Sequence, residues 1–173
     1  MRLKRILQAI DKNGERYLLL PLYAMIVSTI FMEVVRRTLF SYSSVWAEEI
    51  ARYAFIYVAY IGASAAIKER AHIRIDLILH LFSPRMKALV FIFGDIVTLI
   101  LAVLAIYMSM ESVLTSYHFG SVTHGLRISQ VWFLAAVPIG FAMMVYRLLQ
   151  SIKRDWSDLR TGRPVFEGNK LFD

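Results

Sequence analysis

The chain has no cysteine, so it forms neither disulfides nor thiolate metal sites, and its composition says nothing about redox compartment. It has only four prolines and eight glycines, and no Gly/Pro/Ser-rich stretch that would link separate domains. No phosphate-cradling glycine loop and no nucleophile–base spacing occurs, so nothing points to an enzyme. Charge is scarce at 19% of residues and is confined to particular stretches, against 58% hydrophobic residues and a mean hydropathy of +0.54. That distribution excludes an ordinary soluble domain and indicates an integral membrane protein. With 173 residues and no internal repeat, residues 1–173 read as a single membrane domain.

Four apolar stretches stand out, at about 17–35, 46–67, 88–110 and 131–149. Each approaches the roughly 20 residues a helix needs to cross about 30 Å of hydrocarbon. Strands are set aside, because an unclosed sheet leaves its backbone groups unsatisfied in lipid. The expected fold is therefore an all-α membrane protein with four transmembrane helices.

The basic residues orient these helices. Sixteen of the 20 Lys and Arg lie in the N-terminal segment, in the connection between the second and third spans, and after the fourth span. Arg36, Arg37 and Arg127 are on the opposite side, and Arg52 is inside the second span. The positive-inside rule then places both termini in the cytoplasm. The same distribution accounts for the net charge of +7 by topology and headgroup contact with membrane lipids, with no nucleic-acid partner. The first apolar run follows a basic N-terminus, as a signal peptide would. It is long, however, lacks a small-x-small cleavage site and stops at Arg36 and Arg37, so it reads as an uncleaved span.

Residues 69–82, ERAHIRIDLILHLF, are too short and polar to cross a membrane. His72, Asp76 and His80 recur every four residues beside a stripe of Ile73, Leu77 and Leu81, which predicts a short amphipathic helix on the cytoplasmic surface. The alternation over 72–76 would also suit a strand. Ser83-Pro84 has the form of an N-cap followed by proline in the first helical position.

Charges within the spans are the candidate functional residues. Arg52 lies about six residues into the second span, some 9 Å deep at 1.5 Å per residue, with Glu48 four residues before it. Glu33 approaches the same depth from the first span, which suggests a cluster of Glu33, Glu48 and Arg52 tying two helices together. The alternative is a carboxylate that binds a proton or cation; the neighbouring arginine favours the structural reading. Glu49 faces elsewhere and is the better candidate for contact with another subunit. Asp95 is more isolated in the third span, and Lys68 and Arg147 are placed to snorkel toward it in a buried polar contact.

Small residues along the second span (Ala47, Ala51, Ala59, Gly62, Ala63, Ala66) permit close approach of a neighbouring helix, and Pro138 with Gly140 predicts a bend in the fourth. The four histidines fall on opposite sides of the membrane, which disfavours a haem held between helices. A zinc site would need three or four converging ligands, so no cofactor or metal is expected.

Several of these residues occur together in a known family. Arg37, Phe40, Trp46-Ala-Glu48-Glu49, Arg52-Tyr53, Gly62-Ala63 and His72-Ile-Arg-Ile-Asp76 resemble the pattern of the small, DctQ-like membrane subunit (Q component) of tripartite ATP-independent periplasmic (TRAP) transporters. The likeness is concentrated between about 33 and 82, with a weaker echo at Trp132 and Pro138-Ile-Gly140. Departures include Glu33 where glutamine is frequent, Thr38 for tyrosine, Ser43 and Ser129 near common prolines, and Ala71 for glycine.

The resemblance implies a non-catalytic subunit of the bacterial inner membrane that works with two partners. One is a large multi-span subunit that carries substrate and sodium. The other is a periplasmic substrate-binding protein that delivers an organic acid such as a sialic acid or a C4-dicarboxylate. The small subunit would enlarge the fixed scaffold and help dock the binding protein. Within that resemblance Trp46, Glu48, Glu49 and Arg52 are expected at a subunit or binding-protein interface, and His72, Arg74 and Asp76 would anchor the surface helix. Two other classes compete: a self-sufficient homo-oligomeric ion-coupled transporter acting through Glu33 or Asp95, and a haem-binding redox subunit.

Overall fold

The computed structural model describes residues 2–70 and 83–161. The predicted surface helix at 69–82, with His72, Arg74 and Asp76, lies outside the described residues beyond Arg70. Five helices are present among the described residues: α1 (Arg2–Phe40), α2 (Val45–Glu69), α3 (Pro84–His118), α4 (Val131–Leu134) and α5 (Ala136–Thr161). Four helical stretches are long and apolar enough to cross a membrane, the last formed by α4 and α5 together. The all-α, four-span expectation therefore holds.

The helix ends follow from local chemistry. α1 reaches well before the apolar run, because the preceding segment has no breaker strong enough to end a helix and Gly14 costs only about 1 kcal/mol there. It stops at Phe40, where Ser41 takes a left-handed backbone conformation with φ 50°. α2 ends in the same way at Arg70, φ 51°, whose N–H caps the carbonyls of Ala66 and Ile67. Ser83 caps α3 as its sequence suggested, its hydroxyl accepting from the Met86 N–H ahead of Pro84.

The fourth span is interrupted between α4 and α5. Pro138 has no N–H to offer the Leu134 carbonyl, so the hydrogen-bond ladder breaks there and the turn falls at Ala135.

The helices pack in a row, with α1 along α2, α2 along α5, and α5 along α3. The order in space thus differs from the order in sequence. A core of Ile67, Met144 and Leu148, joined by Tyr60, Ala63, Leu99 and Phe141, binds α2, α5 and α3 together. A smaller cluster of Ala88 and Phe91 against Leu159 closes α3 onto the end of α5. Gly140 marks the closest approach of α2 and α5: a Cβ built there would stand 2.3 Å from the Tyr60 Cβ. α1 is different. None of its apolar window is buried within the chain, and Tyr23, Val27, Phe31 and Val34 are all exposed.

The row has two ends. The loop end carries the α1–α2 turn and the α3–α4 loop; the terminal end is where α1 begins and α5 finishes.

Candidate partner-binding site

At the loop end, Glu33 is held by the turn that follows its own helix. Its carboxylate accepts from the Ser43 hydroxyl at 2.9 Å, the Ser44 N–H at 2.9 Å and the Ser44 hydroxyl at 2.7 Å. Arg36 donates to the same Ser44 hydroxyl and lies over the rings of Tyr42 and Trp46. The turn between α1 and α2 is therefore organised by Glu33 and Arg36.

Arg52 pairs with Glu48 one helical turn away, and both side chains are exposed. The expected three-member cluster is thus an Arg52–Glu48 pair beside a carboxylate engaged elsewhere. Two serines and a backbone N–H at the start of α2 are nearer to Glu33 than the guanidinium is. All three charged residues nevertheless line one cavity of about 500 Å³ between α1 and α2, together with Arg37 and Phe55.

Glu49 binds within its own chain. It accepts the Gly125 and Leu126 N–H groups at 2.9 and 2.7 Å and the Tyr53 hydroxyl. The α3–α4 loop is folded to meet it: Val122 and Ser129 form an antiparallel bridge, Arg127 takes φ 53°, and Thr123 N–H bonds the Ile128 carbonyl at 2.9 Å. Gly125 is required by close approach, since a Cβ there would lie 2.6 Å from the Glu49 carboxylate and 3.1 Å from the Trp46 backbone. Glu49 is thus the anchor of this loop within its own chain, and its expected contact with another subunit is a matter for the proposed function. Trp46 stays exposed beside it.

At the terminal end a different set of charges joins three helices. Arg147 of α5 is buried and donates to Glu15, to the Asp11 side chain and carbonyl, and to Gln150. Lys68 of α2 bonds Glu15 at 3.2 Å and the Asp11 carbonyl at 3.0 Å. The hydrogen bond from the Gln150 amide, followed by Arg147, holds the Asp11 carboxyl below its ordinary value.

The proposed contact of Asp95 with Lys68 and Arg147 is not formed among the described residues. Both cations serve α1, whose Asp11 and Glu15 project toward them from successive turns of one face. Asp95 keeps one buried carboxylate oxygen without a hydrogen-bond partner. Its charge is felt instead at a second ionic cluster, in which Arg70 bonds Asp155 and Ser151 and lies over the Phe91 ring. The Arg70 and Asp155 side chains are 1% and 0% exposed, which leaves no solvent to replace a lost partner.

The terminal network escaped sequence reasoning. The available signal was the i, i+4 pair Asp11 and Glu15, which would have stood out had the helix been traced back beyond the apolar run. For Asp155 the signal was an acid within a basic C-terminal segment.

No group of three or more His, Cys, Asp or Glu residues able to hold a metal occurs among the described residues. What the arrangement offers is a stiff row of helices, latched at both ends, with a fully exposed apolar edge.

Comparison with known proteins adds to this. Residues 26–158 match the family described as tripartite ATP-independent periplasmic transporters, DctQ component. The chain is 28% identical over 148 residues to the sialic acid TRAP transporter small permease protein SiaQ of Vibrio cholerae, covering 86% of this chain and 84% of that one. It is 28% identical over 153 residues to the isethionate TRAP transporter permease protein DctMQ of Oleidesulfovibrio alaskensis, covering 85% of this chain but 24% of that one. It is also 28% identical over 117 residues to the C4-dicarboxylate TRAP transporter small permease protein DctQ of Rhodobacter capsulatus, covering 65% and 50%. The chain thus spans nearly all of SiaQ, about half of that DctQ and about a quarter of DctMQ.

Proposed function

This chain belongs to the family of DctQ components of tripartite ATP-independent periplasmic transporters, and we propose that it is the small subunit that stiffens the fixed scaffold of a large transport subunit and helps dock a periplasmic substrate-binding protein. As a TRAP small permease component it is a non-catalytic, multi-pass protein of the bacterial inner membrane.

One observation supports the scaffold role above the others: the helices form an open row whose edge helix, α1, buries none of its apolar window within the chain. A row of this kind has little interior in which to enclose a solute, and it presents a long surface for a larger membrane protein. The relatives that are several times longer than this chain fit a design in which small and large permease parts can be one polypeptide. The basic residues at the terminal end support a cytoplasmic location for both termini. The loop end, with Trp46, Glu48, Arg52 and the α3–α4 loop anchored by Glu49, would then face the periplasm and the binding protein.

The solute is an organic anion in this reading, by analogy with relatives named for isethionate, sialic acid and C4-dicarboxylates, and uptake is driven by sodium through the large subunit. The test is purification of the tagged chain from its native membrane in mild detergent, with mass analysis of what accompanies it. A stoichiometric large polytopic protein is expected. A clean homo-oligomer in several mild detergents would contradict the subunit reading and favour the self-sufficient transporter.

A further inference from the structure

We propose that the trough between α1 and α2 binds two phospholipids, one in each leaflet, with their phosphodiester groups taken by Arg37 and Arg52 at the loop end and by Arg16 at the terminal end. The inference needs only the membrane-spanning fold and stands apart from the identity of the partner subunit.

The trough is built from matched seven-residue repeats. On α1, Arg16, Tyr23, Ile30 and Arg37 share one face, and on α2 Glu48, Phe55, Gly62 and Glu69 do the same. Two separate cavities open along it. The one at the loop end, about 500 Å³, has Ile26, Ile30, Val34, Ala51 and Phe55 as its apolar wall. The one at the terminal end, about 370 Å³, is walled by Leu19, Leu20, Tyr23 and Ala65, with Glu15, Lys68 and Glu69 on its lining beside Arg16. Gly62 falls in the stretch between them, with no atom within 4 Å of where a Cβ would stand.

Charge decides the occupant. At the loop end both carboxylates are engaged, Glu33 by Ser43 and Ser44 and Glu48 by Arg52. Arg37, exposed on the rim, makes no hydrogen bond or ion pair with the described residues, and the Arg52 side chain remains 60% exposed. At the terminal end Glu15 is taken by Arg147 and Lys68 and Glu69 is engaged as well, while Arg16 is exposed at the rim and makes no hydrogen bond or ion pair with the described residues. Arg16 and Arg37 are 21 residues apart, roughly 31 Å along the helix at 1.5 Å per residue. That matches the roughly 30 Å between the two surfaces of the hydrocarbon. Each cavity therefore joins an apolar wall to a spare guanidinium at headgroup depth, and a guanidinium fork suits a phosphate. A partner helix would call for one continuous trough rather than two half-length cavities with cations at opposite rims.

The test uses the protein purified with whatever partner accompanies it, delipidated in detergent and titrated with phosphatidylglycerol under native mass spectrometry. Two tightly retained lipids are expected. The double substitution Arg37→Ala with Arg52→Ala should weaken one of them at least tenfold, Arg16→Ala the other, and Lys153→Ala, an exposed cation on α5, neither. Unchanged retention in the groove variants would overturn the proposal. A second measurement uses the unsubstituted protein, so it does not depend on the variants folding. A photoactivatable phosphatidylglycerol should label the segments around Ile30 and Phe55 at least tenfold more than that around Leu101, which is exposed on α3 outside the trough. Even labelling would overturn the proposal, as would cross-linking of a cysteine placed at Ala51 to a helix of the large subunit.

Discussion

Gly140 of α5 meets Tyr60 of α2 so closely that any side chain at position 140 would enter the space of the tyrosine Cβ, 2.3 Å away. Tyr60 in turn lies against Phe141, ring centroids 5.5 Å apart, on the edge of the core formed by Ile67, Met144 and Leu148. The contact is where α2, neighbour of the edge helix, is joined to the rest of the row.

Gly140→Ala should therefore force α2 and α5 apart and destabilise the fold by about 1–3 kcal/mol, the usual cost of overpacking. Thermal unfolding in detergent measures it. Gly62→Ala is the control: with nothing within 4 Å of its Cβ and a mid-helix position, it should be neutral or stabilising by up to about 1 kcal/mol. Equal effects at the two glycines would contradict the packing argument.

Glu49→Gln should loosen the α3–α4 loop, because a neutral amide oxygen accepts less strongly from the Gly125 and Leu126 N–H groups than a carboxylate does. Amide exchange at Gly125 and Leu126 is expected to speed up, while exchange in the α2–α5 core stays unchanged. If the loop docks the binding protein, the same variant should weaken docking without loss of assembly with the large subunit.

Arg147→Met should be among the most damaging single changes, on the order of 3–5 kcal/mol, because it leaves the buried Glu15 carboxylate without its main partner. Adding Glu15→Gln should recover part of that loss. A double variant no more stable than Arg147→Met alone would mean that the two residues are not coupled as their contact implies.

Asp11 gives the terminal network a pH dependence. Its carboxyl, ordinarily near 3.8, is held lower in the folded protein by Gln150 and Arg147. The folded state thus binds the proton less readily than the unfolded chain, so the contribution is fully present above about 3.8 and is lost as pH falls through the lower folded value. The stability difference between the parent protein and Asp11→Asn should be constant from pH 7 to 5 and shrink only in stronger acid. A difference that instead changed near pH 6 would contradict this assignment.

Asp95→Asn should leave assembly and transport intact. Asp95 carries a buried oxygen with no hydrogen-bond partner, so an amide loses little there. Loss of cation coupling with assembly preserved would make Asp95 an ion site and revive the self-sufficient transporter.

Legibility differed by kind of feature. The four spans could be read because lipid permits little besides apolar helices of sufficient length, and Arg52–Glu48 because i, i+4 neighbours meet within one helix. The Ser83-Pro84 start of α3 was also local and also readable. The surroundings of Glu33 and Asp95 are not readable in this way, for a common reason. Glu33 is taken by the turn after its own helix, and Lys68 and Arg147, the cations expected at Asp95, go to Asp11 and Glu15 of α1, because depth in a membrane does not specify which helix lies alongside.

The sequence by itself determined that the chain spans a membrane four times, that its basic residues collect at one end, and that it carries the DctQ pattern. These follow from periodicity, hydropathy and motif order, which are properties of the chain taken along its length. Only the tertiary structure decided that α5 lies between α2 and α3, that Arg147 and Lys68 serve Asp11 and Glu15, and that α1 is left as an unburied edge. Apolar helices in lipid are nearly interchangeable as neighbours until the close approach of Gly140 to Tyr60 and the pairing of buried charges select one order.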